Sequence, residues 1–223
     1  MKKIIKTAEQ SIIALLMLLL VFVVVEPAVG DAVISQFTES LQVTSEISFL
    51  TSAANVVLLP PIAGITGGTA DGQTQVRVLT NNATGYNMTI MASSSSGMIG
   101  NTQGGNIPAY ISNVAGVPDL TFVSAPNTGR FGYTVEASTT SDLSQAFRDN
   151  GTTCGVGVAD LPNSCWLAAT TTQVQIINRS TFTPLSGATT TIKFRAVITA
   201  NPSPIIPSDT YVATSTLTAL VNP

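Results

Sequence analysis

The chain has no histidine among its 223 residues. This absence excludes Ser-His-Asp and Cys-His catalysis and most zinc sites, because all of them require an imidazole. Paired carboxylates, as in glycosidases, remain the chemistry to consider. The acidic residues are scattered singly, and Asp142 and Asp149, which flank the one segment that resembles a helix, fit cap and turn positions. We therefore expect a protein that is not an enzyme and that carries no cofactor.

Charge is also scarce, at 9% of residues against about a quarter in an average domain. Residues 31–223 carry six basic and ten acidic residues, a net charge of −4. No basic patch is present to neutralise phosphates, which argues against nucleic-acid binding. Serine, threonine, asparagine and glutamine solvate the surface instead, and a surface so low in charge favours association with copies of itself.

Long apolar runs are confined to the N-terminus. Ile12–Val25 is nearly unbroken, Glu26-Pro27 ends it, and Ala28-Val29-Gly30 places small residues where a signal peptidase reads. A basic start precedes the run, at Lys2, Lys3 and Lys6. The order predicts a signal peptide over residues 1–30 and a secreted or cell-surface protein. Two alternatives stay open: an uncleaved membrane anchor over residues 11–29, and a prepilin-type leader, for which Glu9 is the indication.

Strand-like alternation dominates the rest of the chain, with apolar residues at every second position. The runs include Leu41 to Phe49, Val76 to Val78, Tyr86 to Ile90, Phe131 to Val135, Val174 to Ile176, Ile192 to Ile198 and Tyr211 to Leu217. Such alternation is typical of antiparallel sheets with one buried face. Asn81–Gly85 has the composition of a hairpin turn, and Ser141–Arg148 is the only segment that resembles a helix.

The pattern predicts an all-β fold, an antiparallel Ig-like β-sandwich of about seven to nine strands. We expect a single domain over residues 31–223 with long loops at 93–129 and 149–166. The alternative is that 93–129 is a linker between two small domains, and a barrel is a further alternative.

The only cysteines, Cys154 and Cys165, enclose a loop containing glycine and proline. In an exported protein this spacing predicts a structural disulfide, since no Cys-x-x-Cys motif supports a redox or metal site. Trp166 follows directly and is expected to pack over the bridge or the sandwich edge, with ligand stacking as the alternative. A calcium site at Asp149, Asn150 and Asp160 is conceivable, but no Asp-x-Asp-x-Asp spacing supports it, and we predict no metal site.

Sugar-binding sites need exposed aromatic rings. Tyr86, Tyr133 and Tyr211 fall on inward-facing positions, which leaves Tyr110 and Trp166 as candidate ligand contacts. Sequons for N-glycosylation occur at Asn82, Asn87, Asn150 and Asn178, and they indicate exposed loops only if the host glycosylates.

Two stretches resemble parts of bacterial cell-surface proteins. Ile206–Thr218 resembles the closing strand of adhesin, pilin-like and spore-coat-U-like domains, in which a Pro and Asp turn leads to Tyr and a Thr-rich strand. Val78–Tyr86 resembles a hairpin of surface proteins that include WxL-type ones, although the Trp-x-Leu motif itself is absent. The resemblance implies an exported Ig-like module and transfers no functional residue.

Together these observations predict a non-enzymatic structural or adhesive protein of the bacterial cell envelope that associates with itself or with other envelope proteins. Residues 31–49 are the candidate for a strand that adds to another sheet. The alternative is a carbohydrate-binding or other extracytoplasmic ligand-binding module, with a glycan as its partner. Membrane contact is expected only through residues 11–29, if the signal is uncleaved.

Overall fold

The computed structural model describes residues 34–223, which form antiparallel β-structure with no α-helix among them. Eleven strands follow one another: β1 (Ile47–Thr51), β2 (Gly68–Thr80), β3 (Tyr86–Ala92), β4 (Met98–Gly100), β5 (Asn106–Ile107), β6 (Gly129–Ala137), β7 (Leu167–Ala168), β8 (Val174–Arg179), β9 (Ala188–Ile198), β10 (Tyr211–Val212) and β11 (Ser215–Val221). The predicted signal peptide (1–30) and anchor (11–29) lie outside the described residues.

The strands form one five-stranded sheet, β1-β2-β9-β6-β7, and two three-stranded sheets, β11-β3-β8 and β10-β4-β5. The prediction of an all-β, antiparallel, sandwich-like fold is confirmed. The strand count exceeds the expected seven to nine because β4, β5, β7 and β10 are only two or three residues long. Strands of that length carry too little alternation to be read from sequence.

Alternating apolar residues build the core. Along β3, Tyr86, Met88 and Ile90 are buried while the residues between them are only partly buried. Val76 of β2 and Ile192 of β9 belong to the same cluster of buried side chains. Burying each such side chain stabilises the fold by roughly 1.5–3 kcal/mol, which makes this alternation the main source of stability.

Strand β6 departs from simple alternation because both of its faces are buried. Part of the segment predicted as a long loop, 93–129, lies over its outer face. Gly132 permits this, since a Cβ atom there would lie 2.9 Å from the Tyr110 Cβ and 2.8 Å from the Leu167 carbonyl oxygen. The same segment contains β4 and β5, so it is only partly loop.

The turn at Asn81–Gly85 is not a hairpin, contrary to the sequence prediction. Strand β2 pairs with β1 and β9, whereas β3 pairs with β8 and β11, so the turn passes from one sheet to another. The Asn82 side-chain amide holds it by donating to the carbonyl oxygens of Gly85 and Asn222, each at 2.8 Å. The residue types that favour hairpins therefore also serve an arch between sheets.

The helix predicted at Ser141–Arg148 is also wrong. The segment forms two 3₁₀ turns, Thr140–Asp142 and Gln145–Phe147. Between them the Ser144 N–H donates to the Ile176 carbonyl oxygen at 2.9 Å, which ties the segment to the edge of β8. Leu143 and Phe147 are buried as their i, i+4 spacing indicated, but pairing with the strand replaces helical hydrogen bonding.

Val43–Pro223 forms one compact unit, and the described residues that precede it are 34–42. Residues 34–46 adopt no regular secondary structure, and the first strand begins at Ile47. The prediction that Leu41 and Val43 belong to a strand is therefore wrong for these residues. Apolar and polar residues do alternate here, but all of these side chains are exposed.

Candidate functional site: an open strand edge and its groove

A groove of about 420 Å³, whose side chains are mostly apolar, opens beside β10 and β11. We call it the edge groove, and its walls include Val56, Leu58, Ile90, Phe194, Ala213 and Leu217. Ile90 belongs to the buried core, while Phe194 and Leu217 pack against that core and remain partly exposed. The edge groove thus gives access from the surface to the inner side chains of the sandwich.

The chain that follows β1 forms one wall of the edge groove. After Thr51 it leaves its sheet, and the Ala54 N–H donates to the Thr74 Oγ1 at 2.8 Å. Gly72 allows close approach, because a Cβ atom there would lie 2.5 Å from the Val56 Cγ1. Since this wall is irregular, it pairs with no backbone group of β11.

The opposite wall is the edge strand β11. The Ser93 N–H donates to the Thr214 carbonyl oxygen at 2.9 Å, and the Asn222 N–H donates to that of Gly85 at 3.1 Å. Hydrogen bonds toward β3 therefore fall at even-numbered positions, since antiparallel pairs alternate. Ser215 and Leu217 consequently direct their backbone N–H and C=O groups away from β3. No strand pairs with that side of β11 among residues 34–223.

The segment before β1 presents apolar side chains that the described residues leave uncovered. Ile34, Phe37 and Leu41 are 81%, 81% and 90% exposed, and Val43 is 76% exposed. The segment joins the sandwich through Thr44 and Glu46. The Asn81 side chain donates to the Thr44 carbonyl oxygen at 3.0 Å and accepts from the Glu46 N–H at 2.7 Å.

Tyr110 and Trp166, the two candidate ligand contacts, are buried, with exposures of 2% and 1%. Neither ring is therefore exposed on the surface of the described residues. The Tyr110 hydroxyl donates to the Asp119 carboxylate at 2.7 Å, and burial raises its pKa to about 12. The Trp166 Nε1–H donates to the Asn163 carbonyl oxygen at 2.8 Å. Both rings pack around Phe122, in the layer over the outer face of β6.

The inward placement of Tyr86 and Tyr133 is confirmed, since both are buried in the core. Burial raises the pKa of Tyr86 to about 12, and the nearby Asp142 carboxylate adds to this shift. Burial also raises the pKa of Tyr133, whose hydroxyl has no hydrogen-bond partner among the described residues. Tyr211 is only partly buried and donates to the Pro207 carbonyl oxygen at 2.8 Å.

Cys154 and Cys165 form the predicted disulfide. Both lie in the core, so the bridge fastens the 149–166 loop to the sandwich. Asp149 organises the same loop from a buried position, because its carboxylate accepts the backbone N–H groups of Gly151 and Leu161 at 2.8 and 3.0 Å.

The other residues considered from sequence for a metal or catalytic site also have structural partners. The Asn150 side chain accepts the N–H groups of Thr152 and Thr153, and Asp160 accepts that of Ala137. Asp142 forms an ion pair with Arg179. Within residues 34–223 no group of three His, Cys, Asp or Glu side chains is placed to hold a metal ion.

A polar cleft of about 340 Å³ lies on the outer face of the five-stranded sheet, above β2 and β9. Arg195 lies over the Trp166 ring, 4.6 Å from its centroid, and forms an ion pair with Asp71 at 2.6 Å. Lys193 contacts the Glu136 carboxylate at 2.6 Å and the Asn163 Oδ1 at 3.2 Å. The cleft offers hydrogen-bonding groups but no exposed ring.

Of the four sequons, Asn150 and Asn178 are exposed, whereas Asn82 and Asn87 are partly buried and use their side-chain amides in hydrogen bonds. Only Asn150 therefore matches the expectation of an exposed loop site, because Asn178 is exposed but lies on β8.

Comparison of the chain with protein-family models, curated proteins and solved structures found no match in any of the three. In the part of the chain that the structure describes, no helix is long and apolar enough to span a membrane. The edge groove was not anticipated from sequence. The alternation of β11 was visible, but the identity of its missing neighbour depends on sheet order.

Proposed function

We propose that this protein is a non-enzymatic structural or adhesive subunit of a bacterial cell envelope that acts outside the cytoplasm and associates with copies of itself. The observation that carries the proposal is the unprotected edge strand β11 (STLTALV), which ends its sheet, contains no charged residue and no proline, and pairs with β3 without a register shift. β1 (ISFLT) is also an uncharged edge strand, although its pairing with β2 shifts register between Phe49 and Thr51. Monomeric β-proteins usually protect such edges with lysine, proline or bulges, because an unprotected edge pairs with other chains.

The exposed apolar side chains support the same function. Phe49 and Leu50 on β1 and Leu220 on β11 are partly to substantially exposed. Burying them in a contact between copies would gain the hydrophobic free energy that the isolated chain does not obtain. Export is supported by the N-terminal sequence and agrees with the disulfide, which is characteristic of oxidising compartments.

Sedimentation and electron microscopy of the exported protein test this proposal. We expect concentration-dependent oligomers or fibres that persist at high salt, because an interface with few charges is little affected by screening. A protein that stays monomeric at high concentration and attaches to no cell surface would disprove the proposal. Oligomers that dissociate as salt is added would contradict the apolar edge as their cause.

A second candidate is glycan binding at the polar cleft. The observation that favours it is the convergence of Asp71, Gln73, Asn163 and Lys193 around the planar Arg195 guanidinium. A glycan array is the test, and saturable binding that is lost in Gln73→Ala, with unchanged thermal stability, would support it. Binding that survives this substitution would place the glycan elsewhere.

A further inference from the structure

We propose that residues 40–45 of one copy add as a strand to the open edge of β11 in a second copy, with Leu41 and Val43 entering its edge groove. The inference rests on the proposed self-association and names the two surfaces that meet. Strand addition of this kind takes affinity from main-chain hydrogen bonds and specificity from pockets for alternate side chains.

The donor segment has the properties of a strand without a partner. It lacks regular secondary structure, and every residue from 37 to 45 is exposed. Leu41 and Val43 are spaced by two, so in an extended conformation both project from one face. Ser40 and Gln42 project from the other face, as suits a solvent-facing side.

The acceptor supplies what the donor lacks. Ser215 and Leu217 direct backbone N–H and C=O groups away from β3, so a new strand would find hydrogen-bond partners there. The edge groove runs beside these residues and is lined by apolar side chains of both sheets. A strand paired with this edge would therefore place alternate side chains over the core.

Charge does not oppose the pairing. Tyr211–Val221 contains no charged residue, and residues 40–45 of the donor contain none, while Glu39 and Glu46 flank them. A strand that brought several charges to an apolar groove would lose their hydration without compensation. Leu41 and Val43 bring none, and Glu39, which shares their face, precedes the residues that pair.

The hydrogen bonds at Thr44 and Glu46 favour a second copy over the same chain. They hold the base of the segment at Asn81, just beyond the end of β2. Thr74, beside the edge groove, is seven residues back along the chain, about 23 Å at the rise of a strand. Insertion into the groove of the same chain would need these hydrogen bonds to break and the segment to reverse, whereas another copy needs neither.

Matched substitutions in the full exported protein test the donor. Leu41→Asp with Val43→Asp should weaken association at least about tenfold, since each buried carboxylate would oppose docking. Ser40→Asp with Gln42→Asp adds the same charge on the other face and should change the strength of association by less than about twofold. Residues 40–43 precede the first strand, so circular dichroism should show both variants folded.

A second matched pair tests the acceptor. Ser215→Lys places a cation at the groove, whereas Thr216→Lys places it on the exposed side of the same strand. We expect the first to reduce association and the second to leave it nearly unchanged. Melting curves of both variants separate a blocked edge from a destabilised fold.

Cross-linking between two differently tagged copies identifies the contact directly. A Val43→Cys copy mixed with a Ser215→Cys copy should form a disulfide-linked heterodimer, while Val43→Cys mixed with Asn178→Cys on β8 should not. A wild type that stays monomeric and attaches to no cell surface would overturn the proposed function and this inference together, and one that stays monomeric but attaches to cells would overturn this inference alone. A wild type that associates while the Leu41/Val43 variant associates equally, or while the heterodimer fails to form, would overturn this inference alone.

Discussion

At the scale of single residues, the Cys154–Cys165 bridge closes a loop whose ends are both buried. Its half-cystines are part of the core, so the bridge constrains the unfolded chain and also fills space in the folded one. Glycine and proline between the cysteines let the short loop turn back.

Replacing both cysteines by serine should lower the melting temperature by about 6–12 °C. The chain-entropy contribution of a loop of this length is about 3 kcal/mol, and each kcal/mol corresponds to about 2–4 °C for a domain of this size. Differential scanning calorimetry of the variant, beside wild type with and without reductant, measures the change. An unchanged melting temperature in both comparisons would show that the loop is held by other contacts.

Asp160 illustrates a carboxylate that the fold does not favour in its charged form. Burial raises its pKa, and the nearby Glu136 and Asp149 add to the shift, while the Ala137 N–H and Lys193 oppose it. A group whose pKa is raised on folding binds its proton more tightly in the folded state. Stability from this group is therefore greatest below the ordinary pKa of an aspartate and falls as pH rises through the raised value.

Asp160→Asn should consequently raise the melting temperature at pH 7 and change it much less near pH 3. The amide oxygen of asparagine can still accept the Ala137 N–H, so the substitution removes the charge and keeps the hydrogen bond. Asp160→Ala is the control, because it removes both and should destabilise at either pH. The same gain at pH 3 and pH 7 would contradict a titrating cause.

At the scale of elements, the Asn81–Gly85 arch determines how the two main sheets are joined. Gly85 adopts a φ of +77°, and a Cβ atom there would lie 2.1 Å from the Arg179 carbonyl oxygen. Asn222, the residue after β11, joins the arch to the end of β8 at this point. Its side-chain amide donates to the carbonyl oxygens of Thr84 and Arg179. A residue with a side chain fits neither the backbone conformation nor the space.

Gly85→Ala should therefore destabilise the protein by about 3 kcal/mol or more, through backbone strain together with a clash against main chain. Gly104→Ala is a matched control, since Gly104 also has a positive φ, of +71°, but no atom within 4 Å of the Cβ position. We expect the control to cost only about 1–2 kcal/mol, the strain alone. Urea unfolding of both variants measures the difference, and equal losses would show that the clash is relieved.

At the scale of the whole molecule, the core cluster is built from residues that follow Val43. Residues 34–42 are all exposed, and the disulfide also lies within Val43–Pro223. Among the described residues, the contacts that stabilise the sandwich therefore lie in this unit.

A fragment of residues 43–223 should fold alone and melt within about 3 °C of the exported protein, because it keeps the core, the bridge and the contacts of Thr44 and Glu46. A fragment that begins at Ser52 is the control. It lacks β1, whose Ile47 packs against the core and whose backbone pairs with β2, and should melt far lower. A longer fragment that fails to fold would show that the preceding residues contribute to stability.

The sequence by itself determined the strands with strong alternation, the disulfide and the inward placement of Tyr86 and Tyr133. Each of these depends on local information: a period of two along the chain, or two cysteines with no competing ligand. Burial of Leu143 and Phe147 also followed from their spacing. The helix predicted around them did not form, because β8 offered that segment a backbone partner that no local pattern reveals.

Only the tertiary structure decided which strands are neighbours, and the outcomes that depend on sheet order follow from this. It made the Asn81–Gly85 turn an arch, buried Tyr110 and Trp166 under a loop, and left β11 beside the edge groove without a partner. Alternation in a strand states that one face is apolar, but it does not state what will cover that face. For Leu41 and Val43 the described residues provide no cover, because Ile47 is the first residue to find a strand to pair with.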